Sequence, residues 1–156
     1  LAGVSLASGG TGLHHKTCHV LGGMFGLDHG GMNAVVLGHA LAYNAPAIPD
    51  LLADIEVALG TADAPGALHD LAAAIGAPGS LAELGMPATD LDEAARRVVA
   101  EAAGNVRPPD LEGIRRMLDD AYHGRRPHVA ATDHQPGRLA DTDDQPGRLA
   151  DTRGTR

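Results

Sequence analysis

The sequence has few of the residues that mark disulfide-bonded and membrane proteins. It contains one cysteine, Cys18, no tryptophan, and three aromatic residues in all: Phe25, Tyr43 and Tyr122. A lone cysteine cannot form an intramolecular disulfide, so nothing points to an oxidising compartment. No apolar run approaches the roughly 20 residues that a transmembrane helix needs. We therefore predict a cytoplasmic protein with no membrane partner.

Basic residues are also scarce. The chain has 12 Lys and Arg against 20 Asp and Glu, which gives a formal net charge of −8. Binding to nucleic-acid phosphates needs clustered Lys and Arg, and single strands stack on aromatic side chains. We therefore predict no nucleic-acid partner.

The residues that are present favour one folded domain built from helices. The chain has 156 residues, of which 44% are hydrophobic, mainly Ala, Leu and Val. Strands are enriched in aromatic and β-branched residues, so this composition favours thin, alanine-lined helix packing over a sheet. The first residue is Leu1 rather than Met, and we expect the chain to be the downstream part of a longer protein.

The helical pattern stops near Pro127. Beyond it, residues 133–142 read DHQPGRLADT and residues 143–152 read DDQPGRLADT, with nine of ten positions identical. Two short polar copies cannot bury a continuous core, and the Pro-Gly pair in each copy favours a turn. We predict a folded domain over residues 1–127 and a disordered, low-complexity tail over 128–156.

Within residues 1–126 the patterns predict an all-α fold with at least five helices and no sheet. The stripe of one amphipathic helix falls on Leu91, Ala94, Ala95, Val98 and Ala102. Asp90 is expected to cap this helix, with Glu93 as the reciprocal partner. Further helices are predicted near residues 50–59, 65–75 and 111–122, each followed by a glycine.

Five of the nine histidines lie within the first 39 residues. His15 and His19 are four apart, so a helix would present both imidazoles on one face, toward one ion or substrate. We expect the helix to break at Gly22 and Gly23, and a loop to return His29 to that face before the next helix starts near Met32. Spacing alone leaves two interpretations open, a functional site and ordinary core or surface histidines. Cys18 is predicted to be a small buried hydrophobe that faces away from His15 and His19.

One segment carries a family resemblance. Residues 10–47 read GTGLHHKTCHVLGGMFGLDHGGMNAVVLGHALAYNAPA and resemble the signature of the iron-containing alcohol dehydrogenase superfamily. The segments HHKTCHVLGG and AYNAPA are most similar to those of the maleylacetate reductase branch. The resemblance extends to about residue 127. It implies a helical bundle that corresponds to part of the family's C-terminal domain. The family's N-terminal nucleotide-binding domain has no counterpart in this sequence.

The resemblance also implies roles for three histidines. His15 and His29 match the metal-ligand histidines of this part of the superfamily, and His19 matches its active-site histidine. The resemblance implies Fe(II) or Zn(II) as the metal, with further ligands from an upstream D-x3-H element. Within the superfamily, the requirement for a metal is least certain in the maleylacetate reductase branch. NADH or NADPH would bind through the N-terminal domain.

The implied function is the reduction of maleylacetate, a small-molecule substrate, to 3-oxoadipate with NAD(P)H in aromatic compound degradation. A truncated, inactive remnant or helical interaction module of the same family is the alternative, and a small histidine metal-binding bundle is a third hypothesis. Without its partner domain the chain should expose apolar surface, so we expect association, with a homodimer as one form.

Two positions depart from the family pattern. Asp28 stands where the family usually has proline before the ligand histidine, and Gly38 replaces another usual proline. Asp28 would either orient His29 as a neighbouring carboxylate or loosen the turn, and we expect it to loosen the turn.

Overall fold

The computed structural model describes residues 11–129, and that part of the chain contains six α-helices and no strand. The all-α prediction is therefore confirmed. The repeated tail lies outside the described residues. None of the described helices is long and apolar enough to cross a membrane. The helices are α1 (Leu13–Phe25), α2 (His29–Asn44), α3 (Pro49–Leu59), α4 (Ala64–Ala74), α5 (Leu91–Glu101) and α6 (Leu111–Tyr122), with 3₁₀ turns at Ala45–Ala47 and Ala88–Asp90.

Helices α1, α2, α5 and α6 form a four-helix bundle around one core. The predicted stripe of α5 is buried there, and its Ala94 and Ala95 are fully buried. Because these side chains are small, α5 packs closely against its neighbours. The largest side chains of the core come from all four helices: Leu13, Leu21, Met32, Val36, Val98, Ile114 and Leu118.

Three helices begin with the same capping arrangement, an aspartate followed three residues later by a glycine. In each, the carboxylate accepts a hydrogen bond from the backbone N–H of that glycine, which satisfies a donor that the helix leaves free. A Cβ on the glycine would crowd the carboxylate, so a residue without one suits this position. The pairs are Asp28–Gly31 at α2, Asp63–Gly66 at α4 and Asp110–Gly113 at α6.

The predicted cap of α5 is wrong. The side chain of Asp90 makes no capping hydrogen bond in the described structure. Glu93 instead binds Arg96 and Arg97, one turn further along the same helix. The two nearby guanidinium groups compete for the carboxylate more effectively than one backbone N–H does.

The turn between α1 and α2 also differs from the prediction. Gly22 and Gly23 continue α1, which ends at Gly26 in the left-handed conformation (φ 65°). Helix α2 then starts at His29 rather than near Met32. The start lies earlier because Asp28 accepts a hydrogen bond from the N–H of Gly31 at 2.7 Å. The expectation that Asp28 loosens the turn is therefore wrong, since its carboxylate holds the first turn of α2.

Helices α3 and α4 form a hairpin beside the bundle. The first turn of α4, at Ala64, Pro65 and Gly66, is buried against α2. Within the described part of the chain, α3 has no buried residue. Gly38 of α2 allows this contact, because a Cβ there would lie 2.7 Å from the carbonyl oxygen of Pro65. The hairpin exposes a row of large apolar side chains: Leu51, Val57, Leu59, Leu71 and Ile75.

Candidate functional site

Two imidazole rings lie side by side on α1. The ring centroids of His15 and His19 are 4.2 Å apart, and the ring planes are tilted by 39°. The spacing of four residues places the two rings on adjacent turns of one helix face. His15 is half-buried and His19 is exposed, so His19 is the ring that an incoming molecule meets. We call this pair the histidine face.

The surroundings of His15 favour its neutral form. Burial lowers the pKa of His15, and the positive charges that His19, His14, Lys16 and His29 can carry lower it further. A neutral imidazole keeps one nitrogen lone pair free, which can accept a proton or bind a cation. The lowered pKa therefore favours the neutral form of His15.

His29 reaches this region from a different element than predicted. It is the first residue of α2 and is exposed, rather than part of a loop that folds back. A positive charge on His29 is the smallest of the causes that lower the pKa of His15. The structure thus brings the rings of His15 and His19 together and places His29 on a different helix.

His14 and Cys18 face the other way, into the bundle. The Nε2 atom of His14 lies 3.1 Å from the carbonyl oxygen of Asn33 on α2 and 3.8 Å from the Cys18 sulfur. Burial raises the pKa of the Cys18 thiol to about 11, so it remains protonated at neutral pH. The prediction that Cys18 is a small buried side chain is confirmed.

The described residues do not complete a metal centre. Between residues 11 and 129, no group of three or more His, Cys, Asp or Glu side chains is arranged to hold an ion. Structural and catalytic sites for Zn(II) use at least three protein ligands. Two imidazoles alone would leave the ligand sphere of such an ion incomplete.

An open cleft runs beside His19 between α1 and α5. It has a volume of about 450 Å³, and its lining includes His19, Gly23, Arg97 and Glu101. Arg97 is held by Glu93 at 2.8 Å, and Lys16 pairs with Glu101 at 3.7 Å. The ion pair with Glu93 holds the guanidinium group of Arg97 at the wall of the cleft. The cleft can therefore place a small molecule against His19 with a cation close by.

Asn105 fixes the start of the helix that carries the histidine face. Gly12, the N-cap residue of α1, has no side chain, and the Oδ1 atom of Asn105 accepts the N–H of Leu13 at 3.0 Å instead. The Nδ2 group of Asn105 donates to Asn44 and to the carbonyl oxygen of Arg107. Sequence patterns did not reveal this cap because it comes from a residue 92 positions away.

The chain matches proteins of known families along most of its length. Residues 1–122 match the family model described as Fe-containing alcohol dehydrogenase family, C-terminal. The sequence is 43% identical over 127 residues to maleylacetate reductase 1 from Rhodococcus opacus, covering 81% of this chain and 36% of that protein. It is 44% identical over 127 residues to a maleylacetate reductase from Pseudomonas knackmussii, with 81% and 35% covered.

Solved structures show the same likeness. The maleylacetate reductase from Agrobacterium tumefaciens superposes with a TM-score of 0.71 at 44% identity, covering 76% of this chain and 33% of that one. The iron-containing alcohol dehydrogenase from Corynebacterium glutamicum gives 0.72 at 39% identity, with 81% and 36% covered. The chain thus spans about a third of the length of the relatives that it matches.

Proposed function

This chain belongs to the Fe-containing alcohol dehydrogenase family, and on that premise we propose that it is the C-terminal helical portion of a maleylacetate-reductase-like oxidoreductase. The reaction is the reduction of the carbon–carbon double bond of maleylacetate to give 3-oxoadipate, with NADH or NADPH as reductant. The observation that carries the proposal is the paired His15 and His19 on a face of α1, beside an open cleft.

The proposed reaction balances with one hydride and one proton. A reduced nicotinamide bound by the N-terminal portion would supply the hydride for one alkene carbon, and the neighbouring carbon would take a proton from a donor on this chain. The products are 3-oxoadipate and the oxidised nicotinamide. Hydride transfer needs donor and acceptor atoms roughly 3 to 3.5 Å apart. The nicotinamide and maleylacetate must therefore both be held against the wall of the cleft that carries His19.

We assign His19 as the catalytic residue on that wall. Its ring is exposed and lines the cleft, where it can donate the proton that the neighbouring carbon takes. His15 packs against it with the two ring centroids 4.2 Å apart, and this contact limits the orientations of the His19 ring. The lowered pKa of His15 favours its neutral form. Arg97, at the other side of the cleft, offers a guanidinium group to a carboxylate of the substrate.

The nicotinamide and any metal depend on parts outside these residues. The pyrophosphate of NAD(P)H needs a strand, a glycine-rich turn and a helix N-terminus, which we assign to an N-terminal domain of the longer protein. His15 and His29 would give a metal two imidazoles, and the other ligands would come from an upstream D-x3-H element. We place the reaction in the cytoplasm, where reduced nicotinamides are maintained.

The test is NADH oxidation in the presence of maleylacetate, followed by the absorbance of NADH. The isolated 156-residue chain should give no turnover, because its described residues form no strand and no strand-to-helix turn that could hold the pyrophosphate. A fusion of the chain to the N-terminal portion of a maleylacetate reductase should oxidise NADH only when maleylacetate is present. Turnover by the isolated chain would contradict the proposal.

An inactive but folded fusion would favour the second candidate, a remnant that keeps the fold and has lost turnover. Far-UV circular dichroism with a strong helical signal would establish that this fusion is folded. Removal of residues 128–156 from the fusion serves as a control. That deletion should leave turnover unchanged, because the proposed site lies on α1 and α5.

A further inference from the structure

A second, smaller cavity lies between α2 and α6 and shares no lining residue with the cleft at His19. Its volume is about 140 Å³. The polar part of its wall consists of His39 and Tyr43 from α2, Arg107 from the loop before α6, Arg116 and Asp120 from α6, and His128 after α6. Since one water molecule takes about 30 Å³, the cavity can hold a molecule of a few non-hydrogen atoms.

His39 lacks a partner at this cavity. Its side chain is only 3% exposed, and among the described residues its Nε2 atom has no hydrogen-bond partner. Buried polar atoms in folded proteins are nearly always hydrogen-bonded, so an exception indicates a missing partner. His39 lies on α2 and does not belong to the histidine face. His39 lines the cavity, so a small turn of its ring would let an acceptor atom of a ligand satisfy the Nε2–H of a neutral His39.

Two guanidinium groups also face the cavity. Arg107 donates from Nη1 to the carbonyl oxygen of Tyr43 at 2.7 Å and stacks on the Tyr43 ring at 4.2 Å, which fixes its position. Arg116 binds Glu112 through one nitrogen, Nη2, at 2.6 Å. Each guanidinium therefore retains N–H donors, because arginine carries five.

The charge of the wall matches a monoanion. Asp120 is the one carboxylate in the lining, and it is bound by Arg125 at 2.8 Å. Because Glu112 pairs with Arg116 and Arg125 pairs with Asp120, Arg107 is the guanidinium of the lining that has no carboxylate partner among the described residues. A dianion such as phosphate would meet stronger repulsion from Asp120 than a monoanion does.

We infer that this cavity is a binding site for a small monocarboxylate, held by Arg107 and Arg116 with His39 as a hydrogen-bond donor. The planar fork of a guanidinium matches the two oxygens of a carboxylate, which a spherical anion cannot reproduce. Molecules the size of acetate fit the volume. The site is independent of the proposed reductase reaction, because it uses none of the residues assigned to it.

The test is a titration of the full chain with sodium acetate, followed by nuclear magnetic resonance of the histidine side chains at constant ionic strength. A site of this size and charge should show a saturable shift of one buried imidazole, with a dissociation constant of roughly millimolar order. Chloride at the same ionic strength should give no such shift, and phosphate should bind more weakly than acetate.

Three variants assign the binding to this cavity. Arg107→Gln and Arg116→Gln should each weaken acetate binding about tenfold or more, a change of one decade in the dissociation constant. Arg96→Gln is the matched control, since Arg96 is similarly exposed on α5 and lies outside the cavity lining. Its affinity for acetate should stay unchanged.

Three results would overturn the inference. One is the absence of a saturable shift up to about 100 mM acetate, which would mean that water alone fills the cavity. Another is tighter binding of phosphate or chloride than of acetate. The third is equal affinity in Arg116→Gln and Arg96→Gln. Because Arg116 is exposed, its variant keeps the fold even where Arg107→Gln does not.

Discussion

The four-helix bundle and the α3–α4 hairpin use similar apolar side chains in opposite ways. In the bundle, most leucine, valine and isoleucine side chains point inward and are nearly inaccessible to solvent, with Leu37 and Leu111 as exceptions. In the hairpin, Leu51, Val57, Leu59, Leu71 and Ile75 are exposed. Exposed apolar rows are uncommon on monomers. The comparison shows that the apolar residues of a helix predict which face is apolar. Whether that face is buried also depends on a neighbouring element that packs against it.

Exposed apolar side chains, which were expected, are present in the hairpin, and Leu37, Val106, Leu111 and Val129 are exposed elsewhere in the described chain. The hairpin contacts the bundle through the buried first turn of α4. Arg126, near the end of the described chain, also binds α4, through Asp63 at its N-cap and Asp70 within the helix. Association of the chain through this surface, including a homodimer, stays a prediction. The following changes compare the bundle with the hairpin, starting with the largest expected effect.

Leu118→Ala in α6 and Val57→Ala in α3 should differ most. Leu118 is fully buried in the bundle, so the substitution leaves a cavity and should lower the free energy of unfolding by about 3 kcal/mol. Val57 is 82% exposed, and its truncation should change that free energy by less than about 0.5 kcal/mol. Urea unfolding followed by circular dichroism measures both, and equal losses would contradict the described packing.

Acid should weaken the junction between bundle and hairpin through His39. Burial lowers the pKa of His39 to about 4, against an opposing effect of Asp120 on α6 and a further lowering by His69 on α4. The unfolded chain binds this proton near pH 6.5 and the folded chain only near pH 4, so stability falls as pH decreases between these values. The loss at pH 4 should be roughly 3 kcal/mol relative to pH 7.

His39→Asn is the control for this prediction, because asparagine stays neutral over the whole range. Urea midpoints at pH 7 and pH 4.5 should differ less in the variant than in the parent chain. Carboxylates with lowered pKa, among them Asp63 and Asp119, act equally in both chains and cancel from the comparison. An identical pH dependence of the two chains would show that His39 does not titrate as described.

Gly38→Ala and Gly23→Ala should change stability in opposite directions. Both glycines lie in helices, where alanine is favoured over glycine by about 1 kcal/mol. A Cβ at Gly38 would lie 2.7 Å from the carbonyl oxygen of Pro65 and 3.0 Å from Pro127, so the hairpin must move and the chain should lose about 2 kcal/mol. At Gly23 a Cβ meets no atom within 4 Å, and the chain should gain stability.

Asn105→Ala should loosen the start of α1. The variant leaves the N–H of Leu13 and the amide of Asn44 without this partner, and it should lower the free energy of unfolding by about 1.5 kcal/mol. Asn33→Ala, which removes one exposed hydrogen bond to the carbonyl oxygen of His29, should cost less. Hydrogen exchange of the α1 amides distinguishes the two, because only Asn105→Ala should speed exchange in the first turn.

Local sequence signals predicted the helices well and their ends less well. The glycines after α3 and α6 and the stripe of α5 were sufficient to place these helices within a few residues. The start of α2 and the capping hydrogen bond of α5 were predicted wrongly, because a capping hydrogen bond depends on which nearby groups compete for the carboxylate of Asp28 or Glu93. Propensity does not describe that competition.

The candidate site was predictable only where it follows helical spacing. Four residues separate His15 from His19, and that spacing predicts their adjacent rings. Long-range partners gave no local signal, such as Asn105 at the start of α1 or the unpartnered His39 beside Arg107 and Arg116. These depend on packing between elements that lie tens of residues apart in the chain.

The most direct test of the proposed role of the histidine face is the kcat/KM for maleylacetate of the active fusion carrying His19→Ala. The account predicts a loss of at least about 100-fold, the usual minimum for removing a positioned proton donor. His123→Ala, an exposed histidine after α6, is the matched control and should keep the parent value within about twofold. Equal kcat/KM values for the two variants would contradict the assignment of His19 to the catalytic wall.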